Sequence, residues 1–338
     1  MFGNFLFFCG SRLRVGSRFS LGGAKMHAVI SDWKSRHAEL FGEHILRLKH
    51  RLHESPLLAD DALARLIEAT PPEHCYINTM DRKAHNPRTR REGALKGLSG
   101  AEALQAVRGG NIWINIHRPD TTDPNYRDLL ESIFAEFESR VPGLKTYKHS
   151  MTLLISSPNV QVYYHCDVPG QMLWQIRGAK NVYVYPNTAP FLSHADMEKI
   201  ILGEAHETGM PYQPWYDEYA QKIELKPGEM LYWPLNCPHR VVNQDCLNVS
   251  VTTEHWTDEL RNVYAANFAN GILRRTSPSR KLSRATSGPS FWGKLGLAAA
   301  YRFAGLQNGR QRKRLIDFAV DPTAPDGIRD IPAYAFSR

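Results

Sequence analysis

No run of eighteen apolar residues occurs in this chain of 338 residues, so no segment is long and apolar enough to cross a bilayer as a helix. The five cysteines, Cys9, Cys75, Cys166, Cys237 and Cys246, are odd in number and none forms a Cys-x-x-Cys pair. That excludes a disulfide framework and a zinc knuckle, and reduced thiols point to an intracellular, cytoplasmic protein. No internal repeat is visible. Acidic residues are missing from two segments. Met1 to Lys25 is Phe-rich and then Arg- and Ser-rich, with its charges after the apolar stretch rather than before it, the reverse of a secretory signal. It reads as a transit peptide, or as a disordered or mis-annotated extension ahead of a true start at Met26. Residues 274–314 hold eleven basic residues and no acid, whereas residues 26–273 carry 25 basic and 30 acidic ones. The formal net charge of +8 is therefore a property of the C-terminal region.

What is present is an ordinary globular composition, 42% hydrophobic and 22% charged, in a chain long enough for one large domain with helical additions. Leu40, Phe41, Ile45, Leu48 and Leu52, then Leu63, Leu66 and Ile67, recur at helical spacing, with Asp60-Asp61 opening the second helix. Cys75 to Met80 reads as a strand, followed by a basic loop with Arg82, Lys83, Arg88, Arg90 and Arg91 placed to meet an acidic substrate. Ser99 caps a short helix, Asn111 to His117 is a strand, and Tyr126 to Arg140 is an amphipathic helix. Thr146 to Ser156 and Asn248 to His255 read as further strands, the second placing Ser250 and Thr252 on one face.

The chemistry concentrates in two segments. In Val160-Gln161-Val162-Tyr163-Tyr164-His165-Cys166-Asp167 the β-branched and aromatic residues favour a strand, whose alternation sends His165 and Asp167 to one face and Cys166 to the other. A second imidazole, His239 in Pro238-His239-Arg240, follows Leu225 to Pro234, which reads as strand, Pro-Gly turn and strand. Two imidazoles and one carboxylate are the inventory of a facial triad, which holds Fe(II) on one side and leaves three adjacent positions open for oxygen-activating chemistry. A lone His-x-Asp is weak evidence; the β-rich context and the downstream Pro-His strengthen it.

Between these segments Gln171 to Pro186 forms two strands joined at Arg177-Gly178-Ala179. The run from His165 to Pro186, followed by Pro-Gly-Glu-Met-Leu-Tyr-Trp-Pro and Pro-His, resembles the JmjC-type cupin hydroxylases, and most specifically the asparaginyl hydroxylase of hypoxia-inducible factor with its Gln-Ile-basic-Gly-x-Lys segment. The resemblance implies an Fe(II)- and 2-oxoglutarate-dependent dioxygenase that uses O2 and releases succinate and CO2, hydroxylating a substrate or oxidatively demethylating it. It implies His165, Asp167 and His239 as metal ligands and catalytic residues, Lys180 as the partner of the distal carboxylate of 2-oxoglutarate, and Gln171 as an amide beside it. A long flexible stem carrying a compact ammonium suits that carboxylate on physical grounds as well. Where the family often has a threonine three residues before the first histidine, this chain has Val162, so a hydroxyl or amide partner falls to Thr152, Tyr163 or Asn115.

The expected fold is α+β, a double-stranded β-helix (cupin/JmjC-like jelly roll) with N- and C-terminal helical decoration. The expected divisions are an extension over 1–25, a helical segment over 26–70, a catalytic barrel over 71–256 and a basic helical region over 257–338. Within the last, Phe291 to Leu306 reads as an amphipathic helix that docks on the barrel; contact with an anionic membrane surface ranks next, and nucleic acid ranks last. His255 is a fourth candidate ligand with a structural role preferred, and His194 and His206 fall in an insertion. A protein side chain, a small molecule and a lipid headgroup are all compatible substrates. Two other readings stand beside the oxygenase: a non-catalytic cupin that binds or regulates, and a zinc or manganese cupin enzyme that does not use 2-oxoglutarate.

Overall fold

The computed structural model describes residues 28–83, 85–276, 281–306 and 314–336. The N-terminal extension and four of the eleven basic residues of 274–314, Arg280, Arg310, Arg312 and Lys313, lie outside them. Strands β1 (Leu46–Lys49), β2 (Cys75–Thr79), β3 (Arg91–Ala94) and β4 (Trp113–His117) precede the central run. That run is β5 (Tyr147–Ser156), β6 (Gln161–His165), β7 (Gly170–Arg177), β8 (Lys180–Val184), β9 (Gln221–Leu225), β10 (Glu229–Tyr232), β11 (His239–Asn243) and β12 (Asn248–Trp256). Strands β13 (Leu315–Val320) and β14 (Ile328–Ala335) close the chain.

Two sheets face each other. The larger runs β1-β10-β7-β12-β5-β4-β2-β3-β13-β14 and the smaller β6-β11-β8-β9. From β5 to β12 the chain crosses between them at every step except β8 to β9, which pair within the smaller sheet, so the apparent hairpins at Arg177-Gly178-Ala179 and Lys226-Pro227-Gly228 are crossings from one sheet to the other. Gly178 makes the first possible: its φ is +71°, and a Cβ there would stand 2.2 Å from the Leu247 carbonyl oxygen. This is the double-stranded β-helix expected from the sequence.

The outer face of the large sheet, with Ile114, Leu153, Trp174 and Val251, is covered by the helices Asp60–Ala69, Gly100–Gly109 and Pro124–Arg140. Asp123 caps the last of these and Ser99 caps the second with Glu102 in a full capping box. The space between the sheets is lined at one side by Leu173, Val182, Val184, Leu225 and Leu231. A third apolar cluster joins the insertion helix His194–Ile201 to the helices Asp258–Thr276 and Gly288–Phe303.

Two expectations need correction. The helical spacing from Leu40 to Leu52 does not make a helix: only Arg36–Leu40 is helical, and Leu46–Lys49 is β1, antiparallel to β10. Leu46 and Leu48 are both buried, because strand alternation fits the same residues and the exposed edge of β10 offers a ladder. The region 257–338 is not wholly helical: β13 runs parallel to β3 and pairs with β14, extending the large sheet. Three of the tail's arginines are paired within the molecule, Arg274 with Glu198, Arg275 with Glu204, and Arg314 with Glu92. The helix Gly288–Phe303 does form, and Phe291 and Ala298 are buried. No helix among the described residues is long and apolar enough to cross a membrane.

Candidate metal and cosubstrate site

β6 and β11 are antiparallel neighbours in the small sheet, with His165 directly opposite His239. Their rings lie 4.1 Å apart between centroids. Asp167 stands two residues past the end of β6, where Asn236 Nδ2 donates to its backbone carbonyl at 2.7 Å. The ligand atoms of His165, Asp167 and His239 all lie within 4.8 Å of one another, the one such grouping of three among the described residues.

The hydrogen bonds of the rings fix what faces the centre. His165 Nδ1 donates to the Tyr163 carbonyl at 2.7 Å, and His239 Nδ1 donates to the Cys237 carbonyl at 3.1 Å. A carbonyl only accepts, so each neutral ring carries its proton on Nδ1 and turns the lone pair of Nε2 inward. Asp167 Oδ2 sits 3.3 Å from His239 Nε2, and Oδ1 sits 3.9 Å from His165 Nε2. Oδ2 is buried and accepts no hydrogen bond. Three acceptors thus converge with no proton between them, an arrangement that fits a cation. Burial holds both imidazoles below their usual range, His239 further lowered by His165, and burial raises the Asp167 carboxyl well above its own. A divalent metal would supply the missing positive charge. Trp233 packs on His239 at 4.5 Å between centroids and helps fix the ring.

Lys180 starts β8 on the inner face, four residues along the strand from Val184, which pairs with His239. At about 3.3 Å per residue that is roughly 13 Å along the strand. Lys180 is 4% exposed and no carboxylate among the described residues pairs with it. Its Nζ donates at 2.7 Å to Ser250 Oγ, on the opposite sheet. Ser250 in turn donates to Gln175 Oε1 at 2.7 Å, and Gln175 Nε2 donates to Asn248 Oδ1 and to the carbonyls of Arg177 and Gly178. Burial alone pulls the Lys180 ammonium down to about 7. A buried ammonium without an anion fits the far carboxylate of a dicarboxylic acid.

The other residues singled out in the sequence divide. Thr152 lies opposite Thr252, and its hydroxyl is 3.4 Å from His117 Nδ1. Asn115, on the adjacent strand, leaves Oδ1 buried without a partner. The Tyr163 hydroxyl is engaged by Thr89 Oγ1 at 2.6 Å and by the Asp81 carbonyl at 3.2 Å. Gln171 is half-buried opposite Glu254. His255 is turned away from the metal centre, its ring against Phe134. His194 meets Arg284, and His206 caps a short turn at Thr208. Sequence reasoning missed Ser250, Gln175 and Asn248 as the support of Lys180. The signal available was the polar alternation Asn248, Ser250, Thr252 on a strand bound for the interior.

Two facing sheets, antiparallel except where β13 joins β3, with a candidate metal centre held on the smaller, define a cupin-type architecture. Residues 119–259 match the family model described as a cupin-like domain. Among solved structures the chain is similar to Escherichia coli YcfD, at 14% identity over 84% of this chain and 69% of that one, with a TM-score of 0.47. It is similar also to the same ribosomal oxygenase in complex with cobalt and 2-oxoglutarate, at 14% identity over 80% and 65% of the two chains and a TM-score of 0.42. A shorter likeness, 10% identical over 32% of this chain and 38% of the other with a TM-score of 0.21, is to the DMSP lyase DddQ of Ruegeria pomeroyi. No curated protein matches the chain.

Proposed function

We propose that this protein is an Fe(II)- and 2-oxoglutarate-dependent oxygenase that hydroxylates, or oxidatively demethylates, its substrate with release of succinate and CO2. The observation that carries the reading is a pair: three convergent acceptors at one end of the cavity, and the anion-free ammonium of Lys180 further in. Iron bound with 2-oxoglutarate and O2 would supply the oxidising chemistry. His165, Asp167 and His239 would hold the metal, each ring oriented by its backbone carbonyl. Lys180, held by Ser250 and Gln175, would neutralise the far carboxylate of the cosubstrate. Thr152 and Asn115, on neighbouring strands of the large sheet, are proposed as further partners of the cosubstrate, with Tyr163 and Gln171 beside them.

The competing readings lose support at particular residues. A non-catalytic cupin has no need of both ligand rings held in one tautomer, and a metal cupin without 2-oxoglutarate has no use for Lys180. The test is anaerobic reconstitution with Fe(II) and 2-oxoglutarate, followed by admission of oxygen. A visible metal-to-ligand charge-transfer band, succinate on aeration, and loss of both in Lys180→Ala are expected. Bound metal with neither band nor succinate overturns the reading.

A second contact is supported by one feature of the helix Gly288–Phe303. Its solvent side, Trp292, Gly293, Gly296, Ala299, Ala300 and Phe303, carries no charge, and Trp292 and Phe303 are 66% and 97% exposed. With basic residues flanking it in sequence, this face suits an anionic membrane surface. Co-sedimentation with anionic but not neutral vesicles, lost in Trp292→Ala/Phe303→Ala, is the expected outcome.

A further inference from the structure

A second cationic group stands near the metal centre, unused by either the ligands or Lys180. Arg90 follows the helical turn Pro87–Thr89. The Thr89–Tyr163 hydroxyl contact of 2.6 Å fastens that turn to β6 two residues before His165. Two neighbouring basic side chains are occupied, Arg82 by the Gly110 carbonyl and Asn111, and Arg91 by Asp317 and Asp330. Arg90 differs. Its Nε donates to Asn78 Oδ1 at 2.9 Å, and among the described residues no carboxylate pairs with it. Glu92, close enough to act on it, is taken by Arg314, and Glu207 acts only at longer range. Asn78, which holds Arg90, lies opposite Trp113 of β4, and Thr89, the residue before Arg90, is fastened to Tyr163 on the ligand strand, so Arg90 stands between β2 and β6.

Two amides beside Arg90 are incomplete. Asn78 is fully buried, and although its Oδ1 is satisfied by Arg90, its Nδ2 has no partner. Asn115 is 7% exposed, and its Oδ1 has none. On the register of β2 and β4 they are diagonal neighbours on the inner face, about 7–8 Å apart. A buried amide atom left unpaired forfeits its hydration without return, so such groups facing an interior space are matched to something that enters it. A planar guanidinium next to an unpaired N–H donor matches a carboxylate, and the nearby amide oxygen matches an N–H on the same molecule.

We infer that Arg90 and Asn78 Nδ2 anchor a carboxylate of the substrate, with Asn115 Oδ1 accepting an N–H, so that the substrate is an acidic amino compound. The inference rests on the oxygenase reading for its placement next to the reacting centre. The chemistry is shared by a free acidic amino acid and by an acidic residue in a peptide.

Mn(II)-loaded protein with 2-oxoglutarate, kept anaerobic, tests it by paramagnetic relaxation of the probe's carbon-bound protons. The probes are free aspartate and glutamate, their N-acetyl amides, and the asparagine and glutamine counterparts. Carboxylate probes are expected to bind at least about tenfold more tightly than the amide isosteres. That preference should vanish in Arg90→Met and partly survive in Arg90→Lys, with Mn(II) affinity checking the fold of each variant. Preference for the free acids over the N-acetyl amides assigns a small-molecule substrate, and the reverse a peptide. Equal binding of acid and amide, binding of neither, or a preference intact in Arg90→Met overturns the inference. Failure of the oxygenase reading shows separately, as absence of relaxation of 2-oxoglutarate's own protons.

Discussion

The Lys180 ammonium donates to the Ser250 hydroxyl at 2.7 Å, and the two residues belong to opposite sheets. The bond crosses the interior of the barrel and leaves an ammonium in an apolar surrounding with no counter-charge. It is stable only because Ser250 and Gln175 continue the chain of polar contacts to Asn248.

This burial gives a pH dependence of two opposite signs. The folded value of about 7 lies below the ordinary 10.5. Between them the unfolded chain binds a proton that the native one does not, so stability without ligand rises with pH through that window and falls as pH drops toward 7. If Lys180 holds the far carboxylate as proposed, binding of 2-oxoglutarate needs the ammonium, and its affinity should weaken above pH 7 by up to about tenfold per unit. Calorimetric titrations from pH 6 to 9 should show this slope, and Lys180→Arg, charged throughout, should flatten it.

Asp167→Ala and His239→Ala should each abolish tight binding of Mn(II) or Co(II). At metal a hundred times its Kd the native protein gains about 2.7 kcal/mol, read as a rise in Tm that neither variant shows. A variant that keeps the full rise would remove that residue from the ligand set.

Gly178→Ala should destabilise the fold by about 1–2 kcal/mol from its left-handed backbone alone. The contact with the Leu247 carbonyl adds to that cost, since backbone cannot swing aside. Because Lys180 lies two residues on, 2-oxoglutarate affinity should fall with stability. Urea unfolding and calorimetry measure the two effects side by side.

Arg240 follows His239 and is 6% exposed. It pairs with Asp217, contacts the Tyr185 hydroxyl at 2.9 Å, and stacks 3.6 Å from the Tyr183 ring, tying the insertion to the ligand strand. Asp217→Ala strands that guanidinium and should cost about 3 kcal/mol. Adding Arg240→Met should restore part of the loss in denaturant unfolding; full additivity would show the pair is not coupled.

The strands β5 to β12 were legible because β-branched and aromatic residues alternate with polar ones, and a strand's period of two is a local property. His165 and His239 were legible for the same reason, each standing in a short extended segment beside a proline or a carboxylate. Leu40 to Leu52 misled because leucines at those spacings satisfy a helix and a strand equally. What selects the strand is the free edge of β10, some 180 residues away in the chain.

The sequence by itself determined the donor set and the ammonium, since residue type decides what can ligate a cation or meet a carboxylate. Tertiary structure alone decided that Ser250 and Gln175 hold Lys180, that Arg91 meets two acids while Arg90 meets only the Asn78 amide, and that Asn78 and Asn115 face inward with one amide atom each unpaired. Those facts depend on which strand lies across from which. Register between distant segments is fixed by packing of whole sheets, a nonlocal free energy that no short stretch of sequence carries.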